Sequence, residues 1–148
     1  MNIVSIAISQ KKGTQKKQVQ EADLIKNFGI KGDAHAGPWH RQVSFLSSES
    51  IESARESGLG VQFGDFAENI ATKGIDWKNI PKGTRVRLGD FVEVEITQIG
   101  KKCHKKCAIY YKAGDCIMPR EGVFARVLTG GKIRCNDTVS LHIPSITN

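Results

Sequence analysis

The chain has 148 residues, 39% hydrophobic and 25% charged, and Lys+Arg 22 against Asp+Glu 15 gives it a net charge of +7. That length suits one compact domain with a core of its own, expected over residues 1–148. No apolar run approaches the about 20 residues of a membrane helix, and the opening MNIVSIAISQKKG has neither the basic lead nor the apolar core of a secretory signal. A cytoplasmic protein with no membrane partner is expected.

Residues 3–8 (IVSIAI) alternate and predict a strand, and the basic stretch 9–18 predicts a loop. Residues 22–28 (ADLIKNF), closed by Gly29, predict a short helical turn. The segment 30–42, IKGDAHAGPWHRQ, holds too many glycine and proline punctuators for a regular element, and long structured loops are often functional. Residues 43–46 (VSFL) predict a buried strand. A helix is expected over 48–57, capped by Ser47 or Ser48, with Glu49 and Glu52 in its first turn, Ile51, Ala54 and Leu59 on its core side, and Gly58 ending it. A Gly-Asp turn interrupts FGDFAENIAT (63–72).

The second half is rich in strand signals. Residues 84–88 and 91–96 read as a hairpin about Gly89-Asp90, 123–128 as a strand, and 132–135 with 138–143 as a second hairpin about Asn136-Asp137. GTRVRLGDFVEVEI (83–96) aligns without a gap on GGKIRCNDTVSLHI (130–143). Short alternating strands this close together predict a mainly β barrel or sandwich with the helix outside. Phe63, Phe66 and Phe91 read as core, and Tyr110 and Tyr111 as packing residues.

Chemistry concentrates in GKKCHKKCAIYYKAGDC. Three of the four cysteines, Cys103, Cys107 and Cys116, lie there, and Cys135 follows later. In a cytosolic chain they are expected as thiols. Lys101, Lys102, Lys105 and Lys106 beside Cys103 and Cys107 favour the thiolate, the form that attacks as a nucleophile and ligates metal. Cys103, His104, Cys107 and Cys116 also make a zinc reading possible, although the C-H-x2-C-x8-C spacing lacks a second pair. In the 30–42 loop, Lys31, Asp33, His35, His40 and Arg41 suit hydrogen bonding to an anionic ligand, with Arg for bidentate phosphate contacts. Arg120 and Arg126 in MPREGVFARVL are further phosphate candidates. The net charge keeps a nucleic-acid binder open as an alternative, but the chain shows no basic stripe with interleaved aromatics, so nucleic acid is not the expected partner.

Together GIKGDAHAGPWHRQVSFL, GDFAENIAT, GKKCHKKCAIYYKAGDCIMPREGVFARVL and GGKIRCNDTV resemble the MOSC family, named for the C-terminal domain of molybdenum cofactor sulfurases, from roughly Ile30 to Ile143. The likeness is to its short, single-domain bacterial members. It implies a closed, strongly bent β-barrel with a few short helices at its edges. It also implies the molybdenum cofactor (molybdopterin) as ligand and sulfur delivery as chemistry, with the reactive cysteine acting as a persulfide carrier or as a molybdenum ligand. In the amidoxime-reducing relatives a MOSC cysteine ligates molybdenum within a segment resembling KKCAIYYKAGD, which places Cys107 at the matching position. In other small members the key cysteine precedes a Lys or His, as Cys103 precedes His104. FAEN resembles a cofactor-contacting segment and carries Asn69 over as a ligand contact.

The resemblance also has gaps. The sulfurases' pyridoxal-phosphate domain has no counterpart here, so that cofactor is not expected. Sulfur would then come from a partner desulfurase and pass to a recipient molybdoenzyme. The longer N-terminal region of the amidoxime-reducing enzymes is missing too, which argues against a complete reductase. The residues leave open a catalyst and a carrier.

Overall fold

The computed structural model describes residues 1–12, 14–58, 60–100 and 117–144. In chain order the elements are β1 (Asn2–Ile8), β2 (Lys17–Val19), β3 (Glu21–Ile25), β4 (Gly29–Ile30), β5 (Val43–Ser47), α1 (Ser48–Glu56), β6 (Ile70–Lys73), a 3-10 turn (Trp77–Asn79), β7 (Arg85–Leu88), β8 (Val92–Ile99), α2 (Met118–Glu121), β9 (Val123–Thr129), β10 (Gly131–Arg134) and β11 (Val139–His142). An eight-stranded sheet runs β11-β7-β8-β9-β5-β6-β1-β2, and a second sheet runs β10-β3-β4. The mainly β class therefore holds. The closed barrel is not seen as a continuous ladder among the described residues. The ends of the large sheet approach each other through a bridge between Asn2 and Thr138.

Alternation along the strands sorts side chains into two cores. Phe45 enters a cluster fed by both sheets, with Ile3, Ile30, Trp77, Val94 and Ile133. Leu46, the next residue, faces the other way, into a cluster with Ile51 and Ala54 of α1, Phe66, Met118 and Phe124. Fully burying each large side chain is worth roughly 1.5–3 kcal/mol. Among the described residues no helix is long and apolar enough to cross a membrane.

Three local expectations are corrected. The 22–28 stretch is not a helical turn. In β3, Ala22 and Leu24 turn inward while Glu21, Asp23 and Ile25 face solvent, a period of two, and β10 and β4 supply the ladder partners. Phe91 is 80% exposed at the tip of the β7–β8 hairpin and is not core. Ser47 stands at the N-cap of α1 but gives its hydroxyl to the Ile75 carbonyl.

The second hairpin also fails to form. β7 pairs β8 as expected, but β10 pairs β3 and β11 pairs β7. The reason lies in the Asn136-Asp137 turn. The Asn136 amide donates to the Ile3 carbonyl at 2.8 Å, and the Ile3 amide donates to the Asp137 carbonyl at 2.9 Å. The start of β1 thus takes the backbone groups of the turn and splays its two strands into different sheets.

Candidate functional site

The loop after β1 and the loop between β4 and β5 meet around one buried ion pair. Lys16 Nζ lies 2.7 Å from Asp33 Oδ1, and both side chains are 0% exposed. The same ammonium donates to Ser9 Oγ at 3.0 Å and lies 3.1 Å from His35 Nδ1. Asp33 accepts the Ser9 amide on Oδ1 at 3.0 Å and the His35 amide on Oδ2 at 3.1 Å. The aspartate therefore stitches the end of β1 to the 31–42 loop. A charge buried this deeply is stable only with partners of this kind.

The GDFAEN segment supports the pair from behind. Gly64 has φ +94°, and a Cβ added there would stand 2.3 Å from the Lys16 carbonyl oxygen. Its own carbonyl accepts the Lys16 amide at 2.9 Å. Glu68, 1% exposed, holds this turn by accepting the Gly64 amide at 2.6 Å and the Phe66 amide at 3.2 Å. Burial pushes the Glu68 carboxyl up to about 7, against the pull of the Gly64 and Phe66 amides, and the neighbouring Asp65 adds to the rise. Asn69 has a similar supporting place. Its Oδ1 accepts from the Ser44 amide at 2.9 Å and the Ser44 hydroxyl at 3.1 Å, and its Nδ2 donates to the Ala7 carbonyl at 3.1 Å.

A second cluster faces solvent. Trp39 donates its indole N–H to the His35 carbonyl at 2.7 Å. Lys12 Nζ lies 4.7 Å from the Trp39 ring centroid, and the Arg41 guanidinium lies between Trp39, at 6.0 Å, and Phe124, at 5.2 Å. Arg41 Nε donates to Gln98 Oε1 at 3.0 Å, and His40 Nε2 lies 2.9 Å from the same oxygen. Gln98 Nε2 donates to the Gly100 carbonyl at 2.7 Å, and the Gly100 amide donates to the Gly122 carbonyl at 2.7 Å. His40 and Arg41 are thus tied to the backbone on both sides of the stretch that carries Cys103, His104, Cys107 and Cys116. That stretch, residues 101–116, lies outside the described residues, and with it the cysteine and zinc expectations and Tyr110 and Tyr111.

The remaining candidates are more dispersed. Lys31 is exposed beside Gly32. Gly32 lines a cavity of about 580 Å³ with Ile8, Ser9, Lys11, Lys17 and Val19. Arg120 is exposed on α2, close in sequence to Gly122. Arg126 is exposed on β9 and pairs with Glu95 at 3.2 Å across the ladder. Among the described residues no three His, Cys, Asp or Glu side chains gather as a metal site. Cys135 is a half-buried thiol 3.7 Å from the Val19 carbonyl oxygen.

Sequence reasoning missed Lys16, Glu68 and Gln98. Lys16 is hidden within a run of four lysines, and nothing local separates the buried one from the exposed. Glu68 closes a local turn by accepting the Gly64 and Phe66 amides, and Gln98 meets the side chains of His40 and Arg41 from a distant strand, and periodicity registers neither kind of bond.

The MOSC domain model matches residues 31–140. No curated protein matches the chain. Solved structures do. YUAD protein from Bacillus subtilis is 18% identical over 97% of this chain and 96% of its own, with a TM-score of 0.78. YiiM from Escherichia coli is 22% identical over 98% and 71%, at a TM-score of 0.68, and YiiM from Geobacillus stearothermophilus is 20% identical over 95% and 74%, at 0.71. At these identities the likeness is one of fold.

Proposed function

The chain belongs to the MOSC domain family, a family related to the molybdenum cofactor, and we propose from that premise that it binds this cofactor or a precursor at the loop cluster and handles its sulfur or metal through Cys107, with Cys103 as second choice. One observation carries the reading. Gln98 joins His40 and Arg41 to Gly100, the residue that leads into the cysteine-bearing stretch. A cationic loop is thereby joined to the residue that precedes the cysteine-bearing stretch, which supports an anionic ligand bound beside a thiol.

The donor set suits the group. Molybdopterin is a flat heterocycle carrying a phosphate and a dithiolene. Ile8, Val19 and Gly32 offer a wall for a ring in a cavity of about 580 Å³, with Lys11 and Lys17 on its lining. Lys31, Arg41 and Arg120 are the cations for the phosphate side. Arg126, already matched by Glu95, stands in reserve. Asp33 and Asn69 spend their polar atoms on the protein, so we assign them support of the site. His35 and His40 contribute ring nitrogens. When bound, the cofactor supplies a metal able to exchange oxygen or sulfur.

For sulfur handling, the Cys107 thiolate attacks the terminal sulfur of a donor persulfide on a partner desulfurase. A new S–S bond forms at Cys107, the donor's S–S bond breaks, and the donor leaves as a thiolate. A recipient molybdoenzyme is the second partner. The lysines beside the cysteine favour the ionised thiol this step needs.

The test is molybdenum retention by the purified chain after incubation with cofactor. Retention is expected in the wild type and not in a Cys103→Ser/Cys107→Ser double variant. Equal retention in both would refute the thiol role, and loss in Cys103→Ser alone would move the role to Cys103. Elemental analysis of the chain as purified reads the rival outcome: about one zinc per chain and no molybdenum uptake would favour a structural zinc protein.

A further inference from the structure

The chain's net charge of +7 is not spread evenly along it. The two loops that meet at the buried ion pair, residues 9–17 and 31–41, hold six lysine and arginine side chains against Asp33 alone, a net +5. Residues 101–116 add five lysines against Asp115, and the rest of the chain is then net negative. Asp33 is spent on Lys16, at 2.7 Å. Lys11, Lys12, Lys17 and Lys31 are exposed and Arg41 is half-buried, and among the described residues none of these five has a carboxylate within salt-bridge distance. A cluster of like charges repels itself, and a bound anion relieves the repulsion. Four of the five fall into two pairs. Lys11 and Lys17 line the cavity of about 580 Å³, beside Ile8 and Val19. Lys12 and Arg41 meet at the Trp39 ring, 4.7 Å and 6.0 Å from its centroid. Lys11 and Lys12 are chain neighbours, with Cα atoms about 3.8 Å apart, so the two pairs adjoin at the backbone.

We infer that the loops take a diphosphate ester, two linked phosphates on an organic ring, with Lys12 and Arg41 receiving one phosphate and Lys11 and Lys17 the other. A lone phosphate monoester brings only about −1.5 to −2 charges and would leave most of the +5 unmatched. A linked second phosphate adds charge at little further ordering cost, because the first contact already places it near its own cations. The contact with Trp39 restrains two long cationic side chains before the ligand arrives, which lowers what binding must order. The apolar side of the cavity suits the ring of the ester. Its lining holds no aromatic side chain on which successive bases of a nucleic-acid strand would stack. The inference rests on the cofactor-binding reading for the place of the ligand and adds the ligand's class.

The test is calorimetric titration of the full chain with inorganic orthophosphate and pyrophosphate, and with AMP and ADP, at one ionic strength and without divalent metal. Pyrophosphate is expected to bind about tenfold more tightly than orthophosphate, and ADP about tenfold more tightly than AMP. Lys12→Gln/Lys17→Gln removes one exposed cation from each pair and is expected to bring both ratios to about threefold or less. Lys82→Gln/Arg87→Gln lowers the net charge equally, at exposed positions outside the two loops, and is expected to leave both ratios unchanged. Equal affinity for the two inorganic anions, or no binding of either, overturns the inference. The same loss in both double variants also overturns it, because net charge alone would then explain the preference. So does a single-stranded oligonucleotide that binds more tightly than ADP and is lost in the Lys12→Gln/Lys17→Gln variant, which would make the loops a track for a nucleic-acid backbone. If the diphosphate preference fails while molybdenum is still retained, the cofactor reading stands and this inference falls. If the preference holds while no molybdenum is retained, the cofactor reading falls and the diphosphate site stands for another ester.

Discussion

Two groups of polar side chains sit in neighbouring motifs of this molecule and use their hydrogen bonds differently. Around Asn69 and Glu68 the side-chain hydrogen bonds close on the protein itself, reaching Ser44, Ala7, Gly64 and Phe66 from positions that are almost fully buried. Around Trp39, His40 and Arg41 the side chains are half-buried or exposed, cations outnumber anions, and the bonds lead to the root of a segment rich in cysteine. From sequence alone Asn69 in the first group and His40 and Arg41 in the second read as ligand contacts. A motif residue can serve a ligand either by touching it or by holding what touches it, and burial with saturated hydrogen bonds marks the second kind.

The contrast predicts stability losses in the closed group and in the ion pair it supports. Asp33→Ala takes the carboxylate from a buried Lys16 and the acceptor from two backbone amides and should cost about 3–5 kcal/mol, read as a shift in urea unfolding at constant m. Asn69→Ala removes the acceptor of the Ser44 amide and the donor to the Ala7 carbonyl at a buried position, for about 2–4 kcal/mol. If either variant unfolded like wild type but lost ligand, the residue would belong to the contact group and the division drawn above would be wrong.

Glu68 adds a pH signature to the closed group. Its carboxyl titrates at about 7 in the fold against a usual 4.5. Between those values the native chain holds a proton that the unfolded chain has released, so stability falls as pH rises through this window. The contribution is complete below the lower value and lost above the upper, on the order of 3 kcal/mol in all. Glu68→Gln cannot ionise and should flatten that slope. It also turns an amide N–H toward one of two backbone donors, so it starts from a lower maximum. The difference between the two stability profiles isolates the residue from the other carboxylates. Parallel profiles would mean that Glu68 is ionised throughout.

Much of this division was legible in the sequence, though unevenly. β1, β5, α1, β8 and β9 follow from their apolar patterning, because each pattern records which faces are buried whatever distant partner covers them. β3 misled because Ala22, Leu24 and Gly29 fit a short helix as well as a strand, and only the distant β10 decides. The 130–143 echo of the β7–β8 hairpin misled for a related reason. The pattern matches, but Ile3 takes the backbone groups of its turn. At the candidate site the sequence singled out the loop, with His40 and Arg41, by residue type, while the burial that separates Asp33 from Arg41 is encoded by no local pattern.

The open group should show the converse of the closed one. Arg41→Ala removes a half-buried cation from the Phe124 ring and from Gln98, with a stability change of about 1 kcal/mol or less, yet it should weaken cofactor retention about tenfold if the guanidinium meets the phosphate.

The smallest expected effect on stability, and the sharpest test of the joint, is at Gln98. Gln98→Leu keeps the chain's bulk and breaks the bonds to both His40 and Arg41 and to the Gly100 carbonyl. Gln98→Glu keeps an acceptor for Arg41, and strengthens it, but sets a carboxylate against that carbonyl. Each should change stability by about 1 kcal/mol or less, since the residue is half-buried. If the joint serves to align loop and cysteine segment, both variants lower retention, because each unties one of the two. If the joint only orients Arg41, Gln98→Glu retains cofactor as well as wild type and Gln98→Leu does not. Retention unchanged in both would leave the loop and the cysteine segment as independent neighbours, and Arg41 alone would then account for the charge the ligand meets.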